Sequence, residues 1–156
     1  MSSVIREHAE TLYADELVAL EKQDDKPRPP QWKLSPWAVT DYLLGTKLDD
    51  GTEITAKYIG DRRLMEVAVA TLATDRALLL LGVPGTAKSW VSEHLTAAIT
   101  GDSTLLIQGT SGIGEEALRY NWNYAQLLAK GPSMDALVPS PMTVSYTHLR
   151  AHETLR

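Results

Sequence analysis

Arg76-Ala-Leu-Leu-Leu-Leu-Gly-Val-Pro-Gly-Thr-Ala-Lys-Ser-Trp90 is the stretch on which the fold turns. Ala77 to Leu81 is a short, continuous apolar run, the pattern of a strand buried on both faces. Gly82 to Ser89 follows at once and reads as a glycine-punctuated turn. Val91, Leu95, Ala98 and Ile99 then recur at helical spacing and predict a helix with one apolar face. Strand, glycine-rich loop and helix in this order give a short motif its structural meaning.

That context suits a polyphosphate. Backbone N–H groups at a helix N-terminus supply dense positive potential, and the helix dipole adds to it. Gly82 lets the chain leave the strand sharply, and Gly85 lets the backbone come close to phosphate. Val83, Pro84 and Thr86 complete the turn. Lys88 would reach the β- and γ-phosphates of ATP, and the Ser89 hydroxyl would ligate Mg2+. The full pattern is Gly-x-x-x-x-Gly-Lys-Ser/Thr, and its second glycine is Ala87 here. A methyl group is tolerable at that position if residue 87 has right-handed helical angles, since only positive φ demands glycine. The bland alternative is a strand–turn–helix whose Gly and Lys are incidental.

Upstream, residues 4–22 are predicted to form one amphipathic helix with a stripe of Ile5, Ala9, Leu12, Leu17 and Leu20, capped by Ser3. Asp24 to Gln31 is polar and proline-rich, a linker of extended character. Ser35-Pro36 opens a second helix and Gly45 ends it, with Trp37, Tyr42, Leu43 and Leu44 as its buried residues. Asp49-Asp50-Gly51 marks a turn, and its acids lack the spacing of a calcium loop. A third helix runs from about Asp61, its cap, to Thr74, burying Leu64, Ala68 and Leu72 between Met65 and Val69. Arg62 and Arg63 sit at its unfavourable positive end.

Downstream, Thr100 to Ser103 is a turn and Thr104 to Gln108 a second strand. Gly109 to Gly114 reads Gly-x-x-Gly-x-Gly, which is not the spacing of a dinucleotide fingerprint. Glu115 to Lys130 is predicted helical, with Leu118, Trp122, Ala125 and Ala129 on one side and Gly131-Pro132 at its end. Pro139 and Pro141 break regular structure.

The composition narrows the classes. The chain has 156 residues, 44% apolar and 22% charged, which suits a globular domain with a core. No apolar run approaches the roughly 20 residues of a membrane span, and the N-terminus lacks a basic-then-apolar signal pattern. With no cysteine there is no disulfide or thiolate metal site. The net charge of −5, without a basic cluster, disfavours a nucleic-acid surface. A cytoplasmic protein is expected.

Gly-Val-Pro-Gly-Thr-Ala-Lys-Ser at 82–89 closely resembles the MoxR branch of the AAA+ ATPases, in which alanine before the lysine is familiar. Tyr58 to Leu64, Asp75 to Ala77, Leu106 to Thr110, Asn121 to Tyr124 and Val138 to Pro141 resemble a MoxR-related group as well. The resemblance covers roughly residues 55–142. It implies an α/β P-loop fold, the three-layer AAA+ sandwich, with sheet order 5-1-4-3-2 and strands 77–81 and 104–108 as first and second. It implies ATP and Mg2+ as ligands, a homo-oligomeric ring, and a chaperone or remodelling activity on protein clients. Ile59 and Gly60 would lie against the adenine ring. Hydrolysis in this family also uses a Walker B Asp-Glu pair, a sensor residue and an arginine finger, and no apolar run ending in Asp-Glu follows Lys130. The expectation is therefore the nucleotide-binding first part of such an enzyme, with no catalytic residue present and only marginal stability alone. Residues 1–54 form a helical extension and linker before it. A small P-loop kinase or other transferase, and a non-enzymatic helical binding domain, are the alternatives.

Residues from Val144 to Thr154 resemble the conceptual translation of a sequencing adapter, so 143–156 is expected to be non-native. His148 and His152 would share one helix face, but no third ligand accompanies them and no metal site is assigned.

Overall fold

Ser35 opens the helix against which most of the core packs. The computed structural model describes residues 6–104, 114 and 119–140, in two units, 1–103 and 104–156. In the first unit, the Ser35 hydroxyl accepts from the Ala38 N–H at 3.2 Å, and Pro36 follows at the first helical position. The resulting helix is labelled α3 below, Pro36–Leu44. Gly45, at φ 78°, ends it by donating to the Asp41 carbonyl at 2.9 Å. Tyr42 and Leu43 are buried as expected, but Trp37 is 57% exposed. Five residues separate Trp37 from Tyr42, about 140° around a helix, so one face cannot bury both.

Before it, the predicted single helix is two: α1, Ala9–Leu12, and α2, Ala14–Gln23. They break at Tyr13, whose ring packs edge-on against Tyr42 and His94 at centroid distances of 6.4 and 5.2 Å. This tertiary packing overrides the continuous helical pattern. Ala9 and Leu20 are buried, Leu12 is half-exposed, and Ser3 and Ile5 lie outside the described residues. The proline-rich linker is clamped rather than open. The buried Asp24 carboxylate accepts from the Ser35 N–H at 2.7 Å and pairs with Arg28 at 3.2 Å.

After α3 comes a small antiparallel hairpin, β1 Thr46–Lys47 and β2 Glu53–Ile54. The Asp49-Asp50-Gly51 turn joins them, with the Asp50 carboxylate accepting from Thr52 N–H at 2.9 Å. Asp61 then caps α4, Arg62–Ala73, by accepting from Arg63 N–H at 2.9 Å. Its buried residues are Met65, Ala68 and Val69, while Leu64 is 53% exposed and Leu72 only half-buried. The face is thus turned from the expected one, toward α3, on which α4 packs. Arg62 spends its charge on Glu66 at 2.7 Å, one turn along the helix.

The expected buried strand at Ala77–Leu81 is not a paired strand. Leu78 and Leu80 pack on the core, whereas Leu79 and Leu81 are 78% and 84% exposed. The alternation is that of a strand with one face covered. Among the described residues the only sheets are two-stranded and antiparallel, so no neighbour pairs with this segment. The helix after the loop is α5, Lys88–Thr100, ended by Gly101 at φ 75°. Val91, Leu95 and Ala98 are buried on it as expected, together with Ala97 and His94. Leu20, Leu34, Ala38, Val39, Tyr42, Leu43, Ile54, Met65 and Val69 form one core with Val91, Leu95 and Ala98 of α5.

In the second unit the expected helix 115–130 is interrupted. Tyr120–Trp122 is a strand, β3, paired antiparallel with β4, Leu137–Pro139, in the register Tyr120↔Pro139 and Trp122↔Leu137. Pro139 thus ends a strand instead of excluding one, at a terminal position where its missing N–H matters least. Asn123 accepts from Gln126 N–H at 3.3 Å and caps α6, Tyr124–Lys130, which Gly131 ends at φ 74°. The cap fixes the helix start after Trp122, so Trp122 is not a helical residue, and Ala125 and Ala129 are exposed. The predicted strand beyond Thr104, the loop 109–113, Leu118 and the tail lie outside the described residues. No helix among the described residues is long and apolar enough to cross a membrane.

Candidate nucleotide site

Residues 82–89 curl around the Lys88 ammonium. Lys88 Nζ donates to the carbonyls of Gly82 at 3.0 Å and Val83 at 2.7 Å, and to Thr86 Oγ1 at 3.1 Å. Thr86 Oγ1 in turn donates to the Val83 carbonyl at 2.9 Å. An ammonium has three protons, and all three are directed at loop oxygens. A bound phosphate would exchange these neutral acceptors for charged ones, which make stronger bonds.

The loop is open to solvent. Gly82 to Ala87 and Ser89 are exposed, and a Cβ added at Gly85 would meet nothing within 4 Å. Gly85 stands at φ 85°, where glycine is required. A Cβ at Gly82 would come 3.1 Å from Thr86 Oγ1, so this glycine makes room for the loop's own hydroxyl. Ala87 does not have the right-handed angles on which its tolerance was argued. It sits at φ 56°, ψ 24° as the residue capping α5, a conformation that favours glycine. Lys88 and Ser89 are the first two residues of the 13-residue α5, so the ammonium, the hydroxyl and the helix N-terminus share one end.

The segment expected to meet the base is shaped by an aromatic ring. Tyr58 lies over Gly60, where a Cβ would be 2.5 Å from its hydroxyl oxygen. Ile59 is 94% exposed, an apolar side chain with nothing covering it. Lys57 and Tyr58 N–H both donate to the Leu43 carbonyl, at 2.8 and 2.9 Å, which pins this segment to the end of α3.

Behind the loop is a polar cluster that sequence reasoning missed. His94, on the apolar face of α5, is fully buried, with Nδ1 2.9 Å from Tyr42 Oη. Its Nε2 is buried without a hydrogen-bond partner. Burial drives its pKa down to about 4, assisted by the Lys57 and Arg6 charges and opposed by Glu93 and Glu16. The Lys57 ammonium is buried on Glu16 and donates to the Thr55 carbonyl at 2.7 Å. It also stands 4.3 and 4.4 Å over the Tyr13 and Tyr42 rings. Burial lowers the Lys57 pKa while Glu16 raises it, and burial raises that of Tyr42. The one signal available in the sequence was a histidine three residues after Val91, on a stripe otherwise apolar.

With this geometry in view, the relationships of the chain are informative. Residues 77–149 match the AAA domain family of the dynein-related subfamily, a stretch that opens on the apolar run before the loop and reaches into 143–156. The match supports nucleotide binding by an AAA+ ATPase, and with it a P-loop NTPase fold. Over 137 residues, 88% of its length, the chain is 46% identical to uncharacterized protein YehL of Escherichia coli (strain K12). It spans 37% of that protein. No solved structure shows a significant match.

Proposed function

We propose that this chain carries the Mg–ATP cradle of a MoxR-like AAA+ ATPase, a cytoplasmic ring-forming chaperone or remodelling factor acting on protein clients. The observation that carries the reading is the Lys88 ammonium enclosed by the Gly82–Lys88 turn at the N-terminus of α5. Gly82, Val83, Pro84, Gly85, Thr86 and Ala87 offer the backbone, Lys88 the charge for the β- and γ-phosphates, and Ser89 the hydroxyl for Mg2+. Mg2+ would neutralise phosphate charge there. Ile59 and Gly60 contact the base: the bare Ile59 side chain is a surface for a flat ring, and Gly60, lacking a Cβ, lets the Tyr58 ring lie close beside it. Residues 1–54 act as the helical extension and 55–142 as the first part of the nucleotide-binding domain. In this reading the acids and the arginine needed for hydrolysis lie outside these residues, and the chain spans 37% of the length of YehL.

Titration of the full-length protein with Mg–ATP tests this. Lys88→Ala removes a charge-assisted contact and should weaken binding by at least roughly tenfold. Unchanged ATP affinity in that variant would sink the assignment.

A further inference from the structure

Trp90 is the third residue of α5 and follows Ser89 directly. Its indole Nε1–H donates to the Lys57 carbonyl at 2.8 Å, and Lys57 immediately precedes Tyr58-Ile59-Gly60. Both ends of this bond are held. On the donor side, the Trp90 ring lies 4.3 Å from the His94 ring, and the Arg6 guanidinium stands 4.4 Å over it. Arg6 is fixed by two 2.9 Å contacts to the Glu93 carboxylate. On the acceptor side, the Lys57 side chain is buried on Glu16, and its backbone N–H is bonded to Leu43. A fixed donor on a fixed acceptor transmits position, because neither group can relax away from the other.

We propose that Trp90 is a positioning residue for the nucleotide: its indole N–H, on the Lys57 carbonyl, sets the placement of segment 58–60 relative to the phosphate loop. Recognition of the base is thereby tied to recognition of the phosphates by one side chain. This rests on the reading of 82–89 as a phosphate cradle and of Ile59–Gly60 as the base contact. Loss of one such hydrogen bond is worth roughly three- to tenfold in affinity. A ligand spanning both regions feels that loss, and one that touches the phosphate loop alone does not.

The test compares Mg–ATP with Mg–tripolyphosphate, which lacks base and sugar, in the full-length protein. Trp90→Phe keeps a ring against His94 and Arg6 and removes the donor. Should that variant lose its fold, 3-benzothienylalanine at position 90 keeps the bicyclic shape and lacks only the N–H. The expected result is ATP binding weakened roughly three- to tenfold with tripolyphosphate binding changed by less than about twofold. Equal weakening of both ligands would show a merely structural role and overturn the proposal, as would unchanged ATP affinity. Lys88→Ala serves as the separate arm. Its loss of both ligands supports the cradle whatever Trp90 does, and its retention of tripolyphosphate overturns the underlying reading instead.

Discussion

At φ 56° and ψ 24°, Ala87 holds a backbone conformation in which its own methyl group crowds the carbonyl that follows. The cost for a non-glycine residue is roughly 1–2 kcal/mol. Glycine would remove it but would lose about 0.4–1 kcal/mol through the greater freedom of the unfolded chain. Ala87→Gly should therefore give a net stabilisation of roughly 0.5–1 kcal/mol, read as a raised urea midpoint at unchanged slope. A midpoint that stays or falls would mean that residue 87 is not left-handed in the folded protein. The turn at 82–89 and the helix that follows it were legible, because Gly and Pro punctuate the chain just before an apolar stripe of helical period. The sign of φ at residue 87 was not, because a one-letter code records the methyl group and not the path that the loop takes around Lys88.

Helix boundaries were legible wherever they are local. Ser35, Gly45, Asp61 and Gly101 end or begin their helices through bonds within four residues. What pattern could not show is how the helices meet. The break at Tyr13, the turned face of α4 and the burial of His94 are all set by groups distant in sequence. His94 is the measurable one. Tyr42 of α3, Tyr13 and Glu16 from α1–α2, Arg6, Lys57, and Trp90 and Glu93 of α5 surround it. The folded protein keeps His94 neutral down to about pH 4, against 6.5 for an exposed imidazole. Between those values the unfolded chain binds a proton that the folded one refuses. Stability should thus be undiminished by His94 above about pH 6.5 and fall as pH drops toward about 4, by on the order of 3 kcal/mol. His94→Gln, whose amide can still meet Tyr42, should show a shallower decline in urea midpoint over that window. Parallel declines would show that His94 is not the group responsible.

For the molecule as a whole, the segment from Ala77 to Leu81 decides how far the chain resembles a finished domain. Its run of leucines is the composition of a central strand, yet Leu79 and Leu81 face solvent because no neighbouring strand is present among the described residues. A strand's composition is local, whereas its burial depends on partners from elsewhere in the sequence, so only the first was legible. Leu81→Asp separates the two conditions. In residues 1–142 alone the substitution should change stability by less than about 0.5 kcal/mol, as at an exposed site. If the proposed AAA+ sheet is completed in a longer protein, the substitution would bury a carboxylate and should cost several kcal/mol or abolish soluble expression. Similar small effects in both would argue against a central parallel sheet.

The bond from Trp90 to residue 57 ends on a main-chain oxygen, and every amino acid carries one. Among related sequences, residue 57 is therefore free to vary without any matching change at 90, and its variation should follow residue 16, with which its side chain is paired. Comparative methods that infer contacts from correlated substitutions will recover the pair 16–57 and pass over 57–90, although the second connects α5 to the segment before α4.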